Sequence, residues 1–154
     1  MSLLEIKNLN LTYPNGKKIF ENAEISLQAG ESQALWSPNG TGKTSLFRVI
    51  TGLLKPQAAD IYLEDKAVSD EAGFKALRLK VGFVLQHADD QLFFPQVIDD
   101  VAFGPLNQGL SEEEARKVSE EALSTLGILE LKDALSYELS GGQKKLVTLA
   151  CVLS

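Results

Sequence analysis

The stretch Ser37-Pro38-Asn39-Gly40-Thr41-Gly42-Lys43-Thr44-Ser45 lies between an apolar strand pattern and a helical one. It has the make-up of a phosphate cradle. Glycines let successive backbone N–H groups point inward at phosphate oxygens, a lysine adds a point charge on the outer phosphates, and the next hydroxyl reaches a magnesium ion. A helix beginning near Lys43 aims its positive end at the same anion. The usual pattern is G-x-x-x-x-G-K followed by Ser or Thr. Ser37 takes the place of its first glycine, and its Cβ restricts a turn that glycine leaves free.

Working outward on the N-terminal side, Leu4, Ile6, Leu9, Leu11 and Tyr13 nearly alternate, with an interruption at Asn8, and Pro14-Asn15-Gly16 follows as a turn signal. This predicts an antiparallel strand and a return through Ile19 and Phe20. Ile25 and Leu27 predict a further strand ending at Gly30-Glu31. Ala34, Leu35 and Trp36 predict the strand that delivers the cradle, with the bulk of Trp36 fitted against whatever covers a central strand. On the C-terminal side, Leu46, Phe47, Val49, Ile50 and Leu53 predict a well-buried helix that stops around Gly52, with Pro56 just beyond. Ile61 and Leu63 mark a short strand. The continuous apolar run Val81-Gly82-Phe83-Val84-Leu85 reads as a parallel strand buried on both faces, with Gln86 at the end where such sheets bind ligands.

From His87 onward the pattern is irregular and then helical, which predicts a separate helical lobe. Ser111 and Glu114 form a capping box that opens a helix with Ala115, Val118, Ala122 and Leu126 on one stripe and Gly127 at its end. Glu112, Glu113, Arg116, Lys117, Glu120 and Glu121 make its solvated face. The last element follows Leu139-Ser140-Gly141-Gly142-Gln143 and runs through Leu146, Val147, Leu149, Ala150, Val152 and Leu153 without a stop signal.

Bulk properties narrow the function. The 154 residues, 44% hydrophobic and 23% charged, are those of one soluble globular domain. A net charge of −6 provides no basic groove for nucleic acid and little attraction to an anionic membrane surface. Cys151, the single cysteine, sits among apolar neighbours and reads as a buried, inert thiol in a reducing compartment. The N-terminus lacks the apolar core of a signal peptide, and no run approaches the roughly 18 apolar residues of a membrane span. The expected location is cytoplasmic, with no direct membrane insertion.

Gly42-Lys43-Thr44 and Leu139-Ser140-Gly141-Gly142-Gln143, with Gln86 between them, make the chain resemble the ATPase subunit of an ABC transporter. Asp89-Asp90-Gln91-Leu92-Phe93 and Asp100-Val101-Ala102-Phe103-Gly104-Pro105 are similar to the cobalt, nickel and energy-coupling-factor group of importers. The resemblance implies an α/β fold: a P-loop nucleotide hydrolase core with an antiparallel β edge and a helical subdomain. It implies a partial core lobe over 1–86, a helical signature subdomain over 87–139, and over 140–154 the signature motif and the start of a helix returning to the core.

The resemblance also implies roles and partners. ATP and Mg²⁺ are the cofactors. Ser37, Pro38, Asn39, Gly40, Thr41, Gly42, Lys43, Thr44 and Ser45 would hold the phosphates, with Lys43 on the outer two and Thr44 on Mg²⁺. Tyr13 would stack on adenine or simply pack its strand. Gln86 would contact Mg²⁺ and the attacking water. Ser140, Gly141, Gly142 and Gln143 would close over ATP held by a second ABC ATPase subunit, identical or different. Phe93, Phe94 and Val97 would receive a coupling helix from a transmembrane subunit, placing the protein peripherally on the inner face of the membrane, with ordinary core packing as the alternative for the two phenylalanines. His87, the only histidine, is expected in a surface loop without a catalytic role.

In such ATPases an apolar strand ending in Asp-Glu and a switch histidine follow the signature helix. Neither occurs in these 154 residues, so the chain reads as truncated after that helix, and its residues by themselves are not expected to make a competent ATPase. Ala58-Ala59 is a further departure, where a turn usually has Ser-Gly. Two other functions fit less well: a non-hydrolysing nucleotide-binding remnant, and an ABC-type DNA-repair ATPase, which the compact spacing and acidic charge disfavour.

Overall fold

Ile6 is fully buried on the middle of an antiparallel sheet in the computed structural model of the protein, which describes residues 2–154. The chain divides into two compact units, one up to Val81 and one from Gly82.

In the first unit, strands β1 (Ser2–Thr12), β2 (Lys18–Gln28), β3 (Ala58–Leu63) and β4 (Lys66–Ala67) pair in the order β2-β1-β3-β4. All pairings are antiparallel. Ile25, Ile6 and Ile61 form one rung, and Leu27, Leu4 and Leu63 another, so β-branched and leucine side chains meet across three strands. The interruption at Asn8 is a bulge. Asn8 adopts φ 52°, and the register shifts between Ile6 and Leu9. The extra residue returns Leu9 to the face that Ile6 occupies, and both are fully buried. Asn is among the few side chains that tolerate this conformation.

Helix α1 (Lys43–Ile50) covers this sheet with Leu46, Val49 and Ile50. It ends as the sequence predicts: Gly52 takes φ 72° and the Leu53 amide donates to the Arg48 carbonyl at 2.8 Å. Its burial is one-sided, however, because Phe47 and Leu53 are exposed. A second helix, α2 (Glu71–Arg78), was not foreseen. Asp70 caps it by accepting from the Gly73 amide at 2.8 Å, and Leu77 anchors it in the core.

Three strand expectations need correction. The return strand through Ile19 and Phe20 and the one through Ile25 and Leu27 are a single strand, β2. Residues 34–36 and 81–85 form no strand. An apolar run becomes a parallel strand only when a neighbouring strand pairs with it, and the described sheet, β2-β1-β3-β4, contains neither run. Trp36 is accordingly 97% exposed rather than fitted beneath a covering layer.

The second unit is helical. Helices α3 (Val97–Asn107), α4 (Glu112–Thr125) and α5 (Gly141–Leu153) pack around Val97, Val101, Leu123 and Val147, all fully buried. The capping box of α4 is present in both directions between Ser111 and Glu114, and Gly127 follows the helix with φ 68°. Gln96 provides no side-chain cap for α3. Instead the Val97 and Ile98 amides donate to the Ala134 and Lys132 carbonyls at 3.1 and 2.9 Å. No helix among the described residues is long and apolar enough to cross a membrane.

Candidate nucleotide site

The hairpin tip between β1 and β2 and the start of α1 build the cradle together. The Gly16 amide donates to the Tyr13 carbonyl at 2.9 Å, which closes the tip. From that tip, Lys17 Nζ donates to the Gly40 carbonyl at 3.1 Å, and the Tyr13 hydroxyl shares a hydrogen bond with Ser45 Oγ. Ile19 and Phe20 press on Gly42, whose φ of 106° favours glycine. A Cβ there would collide with Ile19 Cγ2 and lie 3.2 Å from the Phe20 ring. Gly40 has φ 77°. These two glycines are where the motif requires left-handed backbone. Ser37 is not among the residues with positive φ, so its Cβ imposes no backbone strain at the first position of the motif.

The polar side chains of the loop are already organised. Lys43 Nζ donates to the Ser37 and Pro38 carbonyls at 2.6 and 2.8 Å, and Thr41 Oγ1 also donates to the Pro38 carbonyl at 2.8 Å. Ser37 Oγ lies 2.7 Å from Thr41 Oγ1. Thr44 is exposed at the first turn of α1, and Pro38 and Asn39 are exposed beside it. Gly42 serves as N-cap of α1 without a side-chain bond, leaving the helix's positive end facing the loop.

The predicted residues of the second unit fall into two places. Gln86 is exposed in a bend, not at the end of a strand, and His87 is exposed beside it. Ser140 is the N-cap of α5. Its hydroxyl accepts from the Gln143 amide at 3.3 Å, and Gln143 Oε1 accepts from the Ser140 amide at 2.9 Å. The signature is thus also a capping box, which the Ser-x-x-Gln spacing could have revealed. Gly141 and Gly142 are exposed, and a Cβ built on either would meet open space.

A cavity of about 360 Å³ in this unit is lined by Asp89, Leu92, Phe93, Phe94, Tyr137 and Lys144, among others. Phe93 is 73% exposed, and the Phe94 ring packs 5.6 Å from that of Phe103. Val97 is fully buried and does not line this cavity. Asp89 pairs with Lys144 at 2.5 Å, joining the loop to α5. Asp100, buried at 5% exposure, holds three of the lining residues, Phe93, Phe94 and Ser136. Its Oδ1 accepts from the Phe93 and Phe94 amides at 2.7 and 3.0 Å, and its Oδ2 accepts from the Ser136 hydroxyl at 3.1 Å. Nothing in the sequence pattern singles out this function of Asp100, or the brace made by Lys17. The Cys151 thiol is pushed up to about 12, chiefly by burial and secondarily by the Asp100 charge.

A family model described as ABC transporter matches residues 20–154. The chain belongs to the ABC transporter family. Within it, this ABC domain is 41% identical to the energy-coupling factor transporter ATP-binding protein EcfA of Methanosphaera stadtmanae, over 99% of the chain and 55% of that protein. It is 43% identical to the cobalt import ATP-binding protein CbiO of Rhodobacter capsulatus, over 96% of the chain and 53% of that protein. The solved structure of cbiO1 from Clostridium perfringens, described as part of the ABC transporter complex cbiONQ, superposes with a TM-score of 0.87 at 38% identity. That match covers 99% of this chain and 61% of the other. The ABC domain therefore has the P-loop ATPase fold of these proteins, and it spans about half the length of the curated relatives it matches.

The cradle fits a nucleotide. Its glycines hold conformations that a side chain disfavours, Lys43 stands over two loop carbonyls, and Thr44 is exposed. Among the described residues no group of three or more His, Cys, Asp or Glu side chains could hold a metal by itself.

Proposed function

We propose that the chain is ATP-binding machinery of an ABC importer that takes up a metal ion, cobalt or nickel, or a vitamin. The observation that carries this reading is the braced cradle of residues 37–45. Phosphates would replace the loop carbonyls as partners of Lys43, the amides of the loop and of the first turn of α1 would donate to them, and Thr44 would offer an oxygen to Mg²⁺. Tyr13 would offer its ring to adenine while its hydroxyl stays on Ser45, so that base and phosphate contacts share one brace.

The open N-terminus of α5 supplies the second half of the proposed site. With Gln143 holding the Ser140 amide, the amides of Gly141 and Gly142 remain for a ligand, and the absence of side chains lets phosphate approach the backbone. This end would close over ATP held by another ABC ATPase subunit. The cavity beside Phe93, Phe94 and Tyr137 would take an apolar segment of a transmembrane subunit, which would keep the protein on the cytoplasmic face of the membrane.

A second reading is nucleotide binding without turnover. It is favoured by the chemistry of Gln86, whose amide can orient a water molecule but cannot take its proton. Mg-ATP binding by the chain, and ATP turnover in a complex with the transmembrane subunit of a cobalt importer, test both. Binding that is lost in Lys43→Ala supports the nucleotide site, and failure of the parent chain to bind overturns it. Lys43-dependent turnover in the complex eliminates the second reading.

A further inference from the structure

The Ser37 and Thr41 hydroxyls are linked in one direction. A threonine hydroxyl has a single proton, and that of Thr41 is spent on the Pro38 carbonyl at 2.8 Å, so across the 2.7 Å separation Ser37 must be the donor. The chain of bonds runs from Ser37 Oγ to Thr41 Oγ1 to the Pro38 carbonyl. That carbonyl also accepts from Lys43 Nζ, which makes its other short bond to the Ser37 carbonyl. The two hydroxyls therefore tie the first residue of the motif to the fifth and hold the carbonyl that Lys43 leans on.

We propose that the Ser37–Thr41 hydroxyl pair is a positioning latch that keeps the phosphate cradle open for nucleotide when Lys43 turns towards phosphate. The proposal rests on the nucleotide reading given above. Without the pair, redirecting the Lys43 ammonium would strip the Pro38 carbonyl of both donors and free a loop whose glycines Gly40 and Gly42 have no side chain to restrain them. With it, the carbonyl retains the Thr41 hydroxyl throughout, and the entropy of ordering the loop is met before the ligand arrives. The serine at the first position is thus a compensated departure from the motif. Restoring glycine there should make the site worse.

Trp36, the only tryptophan and almost fully exposed, adjoins Ser37 and provides an optical probe. Mg-ADP is titrated into the full chain by calorimetry, with Trp36 emission as a second readout. Ser37→Ala and Ser37→Gly should each weaken binding by about 2- to 10-fold, the worth of one hydrogen bond, and Thr41→Ala by at least as much. Ser37→Ala/Thr41→Ala together should be no weaker than Thr41→Ala, since Ser37 acts through Thr41. Thr41→Ser, which keeps the hydroxyl, should recover most of the affinity. Equal or tighter binding in Ser37→Gly, or additive losses in the double variant, overturns the latch. If the parent chain binds no Mg-ADP, the nucleotide reading fails instead. The latch is then read from hydrogen exchange of the Gly40 and Gly42 amides, which should quicken in Ser37→Ala. Unchanged exchange overturns it.

Discussion

The Asp100 carboxylate accepts from the Phe93 amide at 2.7 Å, tying the buried face of α3 to the loop that carries the most exposed phenylalanine of the helical unit. With Phe94 and Ser136 also donating, three groups depend on one side chain. Asp100→Ala leaves them without an acceptor and should destabilise the helical unit by about 3 kcal/mol. Asp100→Asn keeps an acceptor for both amides and lets the Ser136 hydroxyl turn to accept, so it should lose about 1 kcal/mol. Urea unfolding followed by helical circular dichroism distinguishes the two.

Cys151 responds to the same carboxylate. Its thiol is pushed up to about 12, so alkylation should stay slow through pH 9, where an ordinary thiol is already mostly ionised. Asp100→Asn removes the Coulombic contribution and should lower that value while burial still holds it above normal. The sign for stability follows. The folded state retains the proton that the unfolded state releases above about pH 8.5, so the thiol's contribution is complete below that pH and is lost as pH rises towards 12. Rates of modification by a maleimide across pH 7 to 11 provide the measurement.

Gly42→Ala forces a side chain into a backbone with φ 106° and into Ile19. The hairpin tip would have to move, taking Lys17 and Tyr13 from their contacts with Gly40 and Ser45. Nucleotide binding should fall at least 100-fold, well beyond the effect of Ser37→Gly, as read by titration with Mg-ADP.

Ser140→Ala and Ser111→Ala remove equivalent caps from α5 and α4. Each should lower stability by about 1 kcal/mol in urea. Only the first lies in the proposed signature, so Ser140→Ala should reduce nucleotide-dependent pairing of subunits in sedimentation experiments while Ser111→Ala should not.

Leu35, Trp36, Val84 and Leu153 stand exposed on apolar stretches. As its concentration is raised, the chain by itself should therefore associate nonspecifically. A preparation that stays monodisperse in sedimentation at every concentration tested would refute this.

Much of the site was legible in the residues because its parts are local. Gly40, Gly42, Lys43 and Thr44 lie within one loop and one helical turn, and Ser140 to Gln143 within another, so spacing along the chain is nearly spacing in space. Ser111 and Glu114 were readable for the same reason. That residues 34–36 and 81–85 form no strand was not legible, since apolar runs report a wish for burial but not whether a neighbouring strand is there to pair with them. The extra residue at Asn8 was visible only as a break in alternation. Its resolution as a bulge depends on what β2 and β3 place opposite.

Residues 37–45 and 139–143 alone point to the family, which the comparisons show, and to the proposed phosphate chemistry. Contacts made at a distance decide how the cradle is held: Lys17 on Gly40, Tyr13 on Ser45, and Ile19 against Gly42. The same is true of Asp100, whose carboxylate finds the Ser136 hydroxyl 36 positions along the chain. A motif records which groups the ligand needs. Holding them still takes partners brought together by the packing of a hairpin on a helix, and that pairing has no signature in local order.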